Sequence, residues 1–331
     1  MPKPVVALLD VMPPVTRAVI SNAFGDSFEV VFVADSSERA RHHAAETATV
    51  LLTMGAKVDA STIAAAGACR LIQKLGVGTD NIDVAAAKRS GIVVLKAAGI
   101  NADAVAEVTV LLMLAVARHL NAALAAARAG RAEKELLRAQ SFQLPGKTVG
   151  VLGLGNIGRA VARRLLPFGV RLLYHDIRRL DADAEREYGV RYAGFDDLIS
   201  ASDVLSLHLP KTPETERIID AAVLRAVKPG VILINTARGS LVDETALAAA
   251  IDRGQVLGAG LDVSQEEPLP ASSPLRALDR VILTPHIGGA VADNFPRVIA
   301  RAYQNVTAFL SDEQVAPEDV VSAPAIGAIQ P

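Results

Sequence analysis

The stretch that decides the fold runs from Thr148 to Asp176 and reads TVGVLGLGNIGRAVARRLLPFGVRLLYHD. Its first six residues, 148–153, are typical of a buried strand, and 170–175 has the same apolar character. Between them, apolar residues recur at steps of four, four and three, a spacing that places them on one helical face. These residues are Ile157, Val161, Leu165 and Phe168. The stretch therefore predicts a strand, a helix and a second strand.

The turn between the first strand and the helix carries three glycines, Gly153, Gly155 and Gly158. In a Gly-x-Gly-x-x-Gly turn, the first glycine allows the tight bend and the second lets a pyrophosphate approach the backbone. The third lets helix and strand pack closely. The amides of Asn156 and Ile157 lie at the helix N-terminus, where partial positive charge favours phosphate. An ordinary βαβ unit can also carry glycines here, but spacing, flanks and a strand-terminal acid together predict a dinucleotide site.

That acid is Asp176, which ends the second strand eighteen residues after Gly158. Its carboxylate is expected to accept hydrogen bonds from the adenosine ribose and to repel the 2′-phosphate of NADP. Arg178 and Arg179 lie close by and would partly offset this repulsion. We therefore expect NAD as the cofactor, with NADP as the alternative.

Length and composition bound the other possibilities. The chain has 331 residues, of which 51% are hydrophobic, so it can build two domains with ample cores. The net charge of −2, without a Lys/Arg block or interleaved aromatics, argues against a nucleic-acid partner. The single cysteine, Cys69, excludes an internal disulfide and suits a reducing compartment.

Signals for a membrane or a metal are also lacking in the sequence. The N-terminal decapeptide MPKPVVALLD is interrupted by Asp10 and has no long apolar core of a signal peptide. The most apolar helix, 108–117, is shorter than the roughly 20 residues that a bilayer needs. No metal-ligand cluster is visible. We expect a soluble cytoplasmic protein with no metal, no membrane and no nucleic-acid partner.

Strand and helix patterns alternate before the fingerprint, which predicts a parallel sheet covered on both faces. The candidate strands are 5–9, 28–33, 50–53, 71–75 and 92–95, and the candidate helices are 15–24, 37–47, 59–66 and 83–90. A single long helix is predicted from 102 to about 129. The tail from Ser311 onward is rich in Pro and Ala and is expected to be loosely held.

Three strands after the fingerprint end in polar loops, where ligands of open α/β sheets bind. The first strand, 231–235, leads into Arg238, whose guanidinium can hold a carboxylate in two parallel hydrogen bonds or form a structural ion pair. The second, 256–262, leads into an acidic loop that contains Glu266 and Glu267. These loops predict an anionic substrate and a group that supports a proton carrier.

The third of these strands, 281–284, leads into His286, which is flanked by glycines on its C-terminal side. Histidine titrates near neutrality, and a neighbouring carboxylate would hold its tautomer and raise its pKa. His286 is therefore the candidate proton carrier. The remaining histidines are expected to be structural; they are His42, His43, His119, His175 and His208.

The first half of the chain offers one more candidate loop, KLGVGTDN at 74–81. It follows a predicted strand, and its two glycines expose backbone amides that can hold a carboxylate. A plain strand-to-helix turn explains it equally well.

With these motifs the chain resembles the D-isomer-specific 2-hydroxyacid dehydrogenase family, which includes phosphoglycerate dehydrogenases. The resemblance covers nearly the whole chain and keeps the family's motif order. The motifs are GVGTDNID (76–83), GLGNIG (153–158), LHLPKTPET (207–215), NTARGSLVDE (235–244), LDVSQEEP (261–268) and TPHIGG (284–289). The resemblance implies reversible reduction of a 2-oxo acid to its (R)-2-hydroxy acid with NADH.

The resemblance also implies a catalytic trio of Arg238, Glu267 and His286. The arginine would bind the substrate's carboxylate and polarise its carbonyl, the histidine would exchange a proton with the carbonyl oxygen, and the glutamate would support the histidine. The implied cofactor contacts are Gly153, Gly155, Asn156, Ile157, Gly158, Asp176, Leu209, Thr236, Ala237, Arg238, Asp262, His286, Gly288 and Gly289. The implied substrate contacts are Lys74, Val77, Gly78 and Arg238.

The fold implied by the resemblance is α/β, with two doubly wound parallel-sheet domains. A Rossmann NAD-binding domain, 101–289, would be inserted in a flavodoxin-like substrate-binding domain made of 1–100 and 290–331. A homodimer is implied, with 120–145 wrapping around the partner. No regulatory domain follows residue 331, so a short form is expected.

The sequence leaves several substrates and functions open. Lys74 stands where phosphoglycerate dehydrogenases often have a phosphate-binding arginine, so 3-phosphoglycerate is a candidate substrate. Formate dehydrogenases carry glutamine as the histidine's partner, and Glu267 argues against that activity. Phosphite dehydrogenase shares the trio. Corepressors that sense dinucleotides also share it, so an interaction protein is the alternative to an enzyme.

Overall fold

The computed structural model describes residues 2–323, which divide into two compact units. One comprises the chain up to Asn101 and from Ala292 onward, and the other comprises Ala102–Val291. Each unit is built on its own sheet.

The first unit has a six-stranded sheet in the order β13-β5-β4-β3-β1-β2. Its strands are β1 Val5–Leu8, β2 Glu29–Phe32, β3 Val50–Thr53, β4 Leu71–Lys74, β5 Val93–Leu95 and β13 Val320–Ser322. Strands β1 to β5 are parallel, and only β13 runs antiparallel, beside β5. All residues of β3 and β4 are buried, as expected for strands covered on both faces.

Helices cover both faces of this sheet. They are α1 Pro14–Phe24, α2 Glu38–Ala45, α3 Ala60–Ala65, α4 Val84–Arg89 and α13 Asn294–Leu310. Three of them begin at a residue whose side chain accepts a backbone N–H of the first turn; these residues are Ser37, Asp59 and Asp83.

The C-terminal tail is better ordered than the sequence predicts. Asp319 is fully buried, and its carboxylate accepts hydrogen bonds from Ala98 N–H at 2.8 Å and from Arg301 Nε at 2.6 Å. The expectation of a loosely held tail is wrong up to Ser322, because the buried carboxylate of Asp319 and the strand β13 attach it to the first unit. Residues from 324 onward lie outside the described residues.

The second unit has a seven-stranded parallel sheet in the order β12-β11-β10-β9-β6-β7-β8. Its strands are β6 Thr148–Leu152, β7 Arg171–His175, β8 Val190–Tyr192, β9 Val204–Leu207, β10 Val231–Asn235, β11 Val256–Leu261 and β12 Val281–Leu283. The strand order reverses between β6 and β9, and ligands of such sheets bind at this switch point. The predicted fold class, two doubly wound α/β sheets, is confirmed apart from the antiparallel β13.

The helices of the second unit are α5 Ala102–Ala117, α6 Leu120–Arg128, α7 Lys134–Gln140, α8 Asn156–Leu165, α9 Ala182–Tyr188, α10 Phe195–Ala201, α11 Val223–Ala226 and α12 Glu244–Asp252. The long helix predicted from 102 to about 129 is in fact two helices, α5 and α6, that meet at an angle of 66°. The break lies at His119, which has a left-handed φ of 50°. No single helix in the described part of the chain has the length and apolar character of a membrane span, although bent α5 and α6 together reach it.

Candidate active site

The glycine-rich turn follows β6 at the switch point of the sheet. Gly153 has a φ of +90°, and a Cβ there would lie 2.7 Å from the carbonyl oxygen of His208. A Cβ on Gly158 would lie 2.2 Å from the carbonyl oxygen of Gly153. A Cβ on Gly155, in contrast, would meet nothing within 4 Å. The turn is thus tightly packed on its inner side and open above Gly155.

Asp176 fastens this turn to the end of β7. Its Oδ2 accepts the N–H of Leu154 at 2.7 Å, and its Oδ1 accepts the N–H of Arg178 at 3.0 Å. The next residue, Ile177, is 98% exposed. The sequence predicted Asp176 as an acceptor for the ribose hydroxyls that repels the 2′-phosphate of NADP. It did not reveal that Asp176 also holds the backbone of the glycine turn.

The residues at this edge have the chemistry of a dinucleotide cradle. Helix α8 begins at Asn156, directly after Gly155, and no side chain of the described residues caps its first turn. Its first amides therefore have no partner within the helix and suit a pyrophosphate. Asn156 is exposed and Ile157 is partly exposed, so this end of the helix is accessible. NAD fits these residues, with Asp176 as the acceptor for the ribose hydroxyls.

The loop after β9 lies against the same turn. The Leu209 side chain reaches within 3.0 Å of the position that a Cβ on Gly153 would take. His208 places Nε2 at 2.8 Å from Ser206 Oγ, while its Nδ1 is buried without a partner among the described residues. Burial lowers the pKa of His208 to about 3, so this ring is neutral.

The loop after β10 is held by the side chain of Asn235. Its Nδ2 donates to the carbonyl of Arg238 at 2.8 Å, and its Oδ1 accepts the N–H of Ala237 at 3.0 Å. The Arg238 guanidinium donates from Nη1 to the carbonyl of Ala237 at 2.6 Å, and the residue is half-buried. Asn235 thereby determines where the loop presents Arg238.

A hydroxyl pair lies under this loop. Thr236 is 6% exposed, and its Oγ1 lies 2.8 Å from Oγ1 of Thr109 in α5. Thr109 donates its own proton to the carbonyl of Val105 at 2.8 Å, so Thr236 is the donor of the pair. Sequence reasoning missed Thr109. The signal was a single hydroxyl within the apolar run VTVLLMLAV.

The loops after β11 and β12 are joined by Asp262, which is 1% exposed. Its Oδ1 accepts Thr284 Oγ1 at 2.6 Å and the N–H of Ile287 at 2.9 Å, and its Oδ2 accepts the N–H of Gly288 at 2.8 Å. The resemblance placed Asp262 at the nicotinamide end of the cofactor. In the structure its carboxylate closes the turn that carries His286.

His286 and Glu267 lie side by side at this edge. His286 Nδ1 is 2.8 Å from Glu267 Oε2, and the two side chains are 50% and 42% exposed. A carboxylate only accepts hydrogen bonds, so the contact assigns a hydrogen to Nδ1 and leaves Nε2 as the nitrogen that gains and loses a proton. Arg238, Glu267 and His286 follow β10, β11 and β12, which are neighbours in the sheet.

A cavity of about 500 Å³ opens beside the histidine and the glutamate. Its walls are mainly apolar side chains, with Arg276 as a basic group. The apolar lining consists of Leu261, Val263, Pro268, Leu269, Leu283 and Pro285. His286 and Glu267 thus border a space large enough for a small organic molecule.

The remaining predicted contacts lie in the first unit. Lys74 is 8% exposed, and its Nζ donates to the carbonyl of Met54 and to Asn81 Oδ1, the latter at 2.7 Å. Asn81 in turn donates to the carbonyl of Ala56 at 2.6 Å. The ammonium therefore belongs to a buried network that joins two loops of this unit. The nearby Val77 and Gly78 are partly exposed. Residues 2–323 contain no group of three or more His, Cys, Asp or Glu side chains that could hold a metal ion.

Comparisons with known proteins agree with this architecture. Residues 110–288 match the model of the D-isomer specific 2-hydroxyacid dehydrogenase family, NAD binding domain. The chain is 40% identical to a D-3-phosphoglycerate dehydrogenase of Mycobacterium leprae over 317 residues, which are 94% of this chain and 58% of that protein. The chain thus spans little more than half the length of that relative.

Two further proteins match over most of their own length. A hydroxypyruvate reductase of Thermotoga maritima is 41% identical over 256 residues, which cover 76% of this chain and 81% of that protein. The solved structure of a formate dehydrogenase from Staphylococcus aureus in complex with NAD has a TM-score of 0.85 and 28% identity, and the match covers 97% of this chain and 99% of that one. The chain therefore belongs to the D-isomer specific 2-hydroxyacid dehydrogenase family, as its motifs predict, and 110–288 lies in its NAD-binding domain.

Proposed function

We propose that this protein is an NAD-dependent D-2-hydroxyacid dehydrogenase, which interconverts a 2-oxo acid and its (R)-2-hydroxy acid. The observation that carries the proposal is the 2.8 Å contact between His286 Nδ1 and Glu267 Oε2 at the carboxyl edge of a dinucleotide-binding sheet. A histidine with its distal nitrogen accessible and a carboxylate behind it is suited to proton exchange with a substrate.

The cofactor would be held by the first unpartnered amides of α8 and by Asp176. When bound, the nicotinamide supplies or accepts the hydride at C2 of the substrate. The open space above Gly155 leaves room for the pyrophosphate, and the carboxylate of Asp176 accepts the ribose hydroxyls. Leu209, Thr236, Ala237, Gly288 and Gly289 would border the cofactor.

His286 is the acid and base of the proposed reaction. In the direction of reduction, its imidazolium gives the Nε2 proton to the carbonyl oxygen of the substrate. In the direction of oxidation, neutral Nε2 takes the hydroxyl proton. Glu267 stabilises the imidazolium and fixes the tautomer. Both directions use the same two side chains.

Arg238 would bind the carboxylate of the substrate, since a guanidinium recognises a carboxylate with two parallel hydrogen bonds. It would also withdraw electron density from the neighbouring carbonyl, which favours the oxyanion character that develops there. The amides of Val77 and Gly78 would supply further donors to the carboxylate.

We favour a substrate without a phosphate group over 3-phosphoglycerate. The family resemblance makes Lys74 the candidate contact for a phosphate group. Its Nζ, however, already donates hydrogen bonds to Met54 and Asn81 inside a buried network. Moving it to a substrate would break those bonds in a region where unpaired polar groups are costly. Because the chain is 40% identical to a D-3-phosphoglycerate dehydrogenase, 3-phosphoglycerate is the alternative substrate.

We also infer that the protein is a cytoplasmic homodimer. Helices α6 and α7 expose apolar side chains and border a cavity of about 720 Å³. Leu120, Leu124 and Leu136 are 39%, 43% and 57% exposed. A second copy that packed on 120–145 would cover them. The single, reduced Cys69 suits the cytoplasm.

A panel of 2-oxo acids with NADH tests the proposed activity. Glyoxylate, hydroxypyruvate, pyruvate and 3-phosphohydroxypyruvate are assayed by the loss of NADH absorbance. We expect turnover with at least one unphosphorylated member. Tight NADH binding without turnover of any member would instead favour a dinucleotide-sensing interaction protein.

A further inference from the structure

The loop that carries Glu267 is attached to the start of α12 through Gln265. The backbone N–H of Gln265 donates to Glu244 Oε1 at 2.6 Å. The side chain of Gln265 also donates, from Nε2 to the carbonyl of Val242 at 2.6 Å. The residue two positions before Glu267 is therefore bound to a single segment, 242–244, by both its backbone and its side chain.

The same loop lies directly on Gly239. A Cβ on Gly239 would stand 1.9 Å from the carbonyl carbon of Ser264 and 2.4 Å from the nitrogen of Gln265. Any larger residue would push the loop away. Because Gly239 follows Arg238, the backbone that presents the arginine also supports the loop that presents the glutamate.

Within the loop, Ser264, the neighbour of Gln265, is hydrogen-bonded to Glu267. The Ser264 N–H donates to Glu267 Oε1 at 3.3 Å, and its hydroxyl donates to the carbonyl of Glu266 at 2.7 Å. The other oxygen of Glu267 contacts His286. A continuous path of hydrogen bonds and chain thus leads from α12 through Gln265 and Ser264 to the imidazole.

Glu244 is the fixed end of that path, and the proposed mechanism does not otherwise use it. Its neighbour Asp243 caps α12 by accepting the N–H of Ala246 at 2.9 Å, so the residue stands on a rigid helix start. Partial burial raises the pKa of Glu244, while the hydrogen bond from Gln265 lowers it. Among the described residues, Gln265 is the donor that this carboxylate accepts.

We propose that Glu244 is a positioning residue of the dehydrogenase reaction: it holds the backbone of Gln265 and thereby sets the Glu267 carboxylate against His286. It touches neither the substrate nor the cofactor. This inference rests on the proposed function, since it assigns Glu244 to the support of the proposed proton carrier.

The test compares Glu244→Ala, Glu244→Gln and the control Glu266→Ala. Alanine removes the acceptor for the Gln265 N–H, whereas glutamine keeps a carbonyl oxygen there. Glu266 is an exposed acid in the same loop whose side chain makes no hydrogen bond among the described residues, so its removal controls for lost charge. We expect Glu244→Ala to lower kcat for 2-oxo acid reduction by about 10- to 100-fold, the effect of a misplaced catalytic group.

The second readout is the NMR chemical shifts of the His286 ring nitrogens in the protein without substrate, which report the hydrogen bond between Nδ1 and Glu267. Glu244→Ala is expected to change these chemical shifts, because the carboxylate is no longer aligned with Nδ1. Glu244→Gln and Glu266→Ala should keep the parent's chemical shifts, kcat and NADH dissociation constant. The thermal unfolding midpoint identifies any variant that fails to fold. If Glu244→Ala does not fold, Glu244→Met, which keeps the length of the side chain but has no carboxylate acceptor, replaces it in the same comparison.

A Glu244→Ala variant that folds and keeps both the parent's chemical shifts for the His286 ring and its kcat would overturn the inference. So would a Glu244→Gln variant as impaired as Glu244→Ala, because the hydrogen bond would then not be the cause. The chemical shifts can be measured without turnover. If the parent reduces no 2-oxo acid, the proposed function fails while the positioning of Glu267 by Glu244 is still measured.

Discussion

Asp262 holds the backbone of His286 in place: its carbonyl accepts the N–H of His286 at 2.8 Å, and the histidine keeps a left-handed φ of 55° there. The carboxylate of the same aspartate binds the two following amides, of Ile287 and Gly288. The position of the imidazole is therefore set by the backbone at the ends of β11 and β12, and not only by the contacts of the ring itself. A substitution that removes the ring but tolerates this backbone can thus test the ring's role separately.

Replacing His286 with asparagine is expected to abolish most turnover and to leave NADH binding intact. Asparagine tolerates the left-handed backbone, so the turn is preserved. We expect kcat to fall by about 10²- to 10⁴-fold, the usual contribution of a positioned proton carrier. NADH fluorescence titration measures binding, and His43→Asn, at an exposed histidine, is the control. A loss of NADH binding would show that His286 is structural.

Replacing Glu267 with glutamine should move the pH optimum of 2-oxo acid reduction downward. Reduction needs the imidazolium, and the carboxylate of Glu267, which lies 2.8 Å from His286 Nδ1, stabilises it. Without that carboxylate, the protonated form is lost at lower pH. The check is the pH profile of kcat/KM, and an unchanged profile removes Glu267 from this role.

Replacing Asp176 with asparagine is expected to raise the preference for NADPH over NADH by about tenfold or more, since the charge that repels the 2′-phosphate is gone. The ratio of kcat/KM for the two cofactors measures it. The asparagine side chain has one carbonyl oxygen, where the carboxylate uses one oxygen for the N–H of Leu154 and the other for the N–H of Arg178. The variant can therefore keep only one of these two hydrogen bonds in the present geometry. Asp183→Asn, at an exposed acid, is the control. A parent enzyme that already prefers NADPH contradicts the assignment.

Replacing Asp319 with alanine should destabilise the first unit by about 3–5 kcal/mol, because it leaves the Arg301 guanidinium without its buried partner. The Ala98 N–H loses its acceptor as well. Glu318→Ala removes the exposed partner of the same arginine, at 3.2 Å, and is expected to cost less than about 1 kcal/mol. Denaturant unfolding compares the two variants. Equal effects would mean that Asp319 is not the residue that attaches the tail.

His208 predicts an acid-dependent loss of stability. The pKa of His208 is about 3 in the folded protein, below the ordinary value of 6.5. Between these two pH values the ring is protonated in the unfolded chain and neutral in the folded protein. The free energy of unfolding should fall as the pH drops from about 6.5 towards 3, and His208→Gln should make that fall shallower. Urea unfolding between these pH values measures both proteins. Identical slopes would show that His208 is protonated equally in both states.

The fingerprint and the loops of the trio were predictable because their signals are local. Glycine spacing, a helical period and a polar residue at a strand end all lie within a few positions of one another, as in 148–176. His286 was likewise predictable, because it follows directly after the apolar residues of β12. Such patterns determine an element without knowledge of its distant neighbours.

The features that were missed depend on contacts between distant parts of the chain. Strand β13 is three residues long and forms because Asp319 meets Ala98, far away in sequence. The burial of Lys74 depends on the carbonyl of Met54, twenty residues earlier. No glycine or proline near His119 indicates in the sequence that the helix breaks there. Composition and periodicity carry no information about such pairings.

The antiparallel strand β13 also has a consequence for how the protein is made. The second unit is continuous in the chain, from Ala102 to Val291, and can fold as soon as that segment has left the ribosome. The sheet of the first unit stays incomplete until Val320–Ser322 has been synthesised and pairs with β5. The first unit can therefore complete its sheet only after the whole second unit has been synthesised.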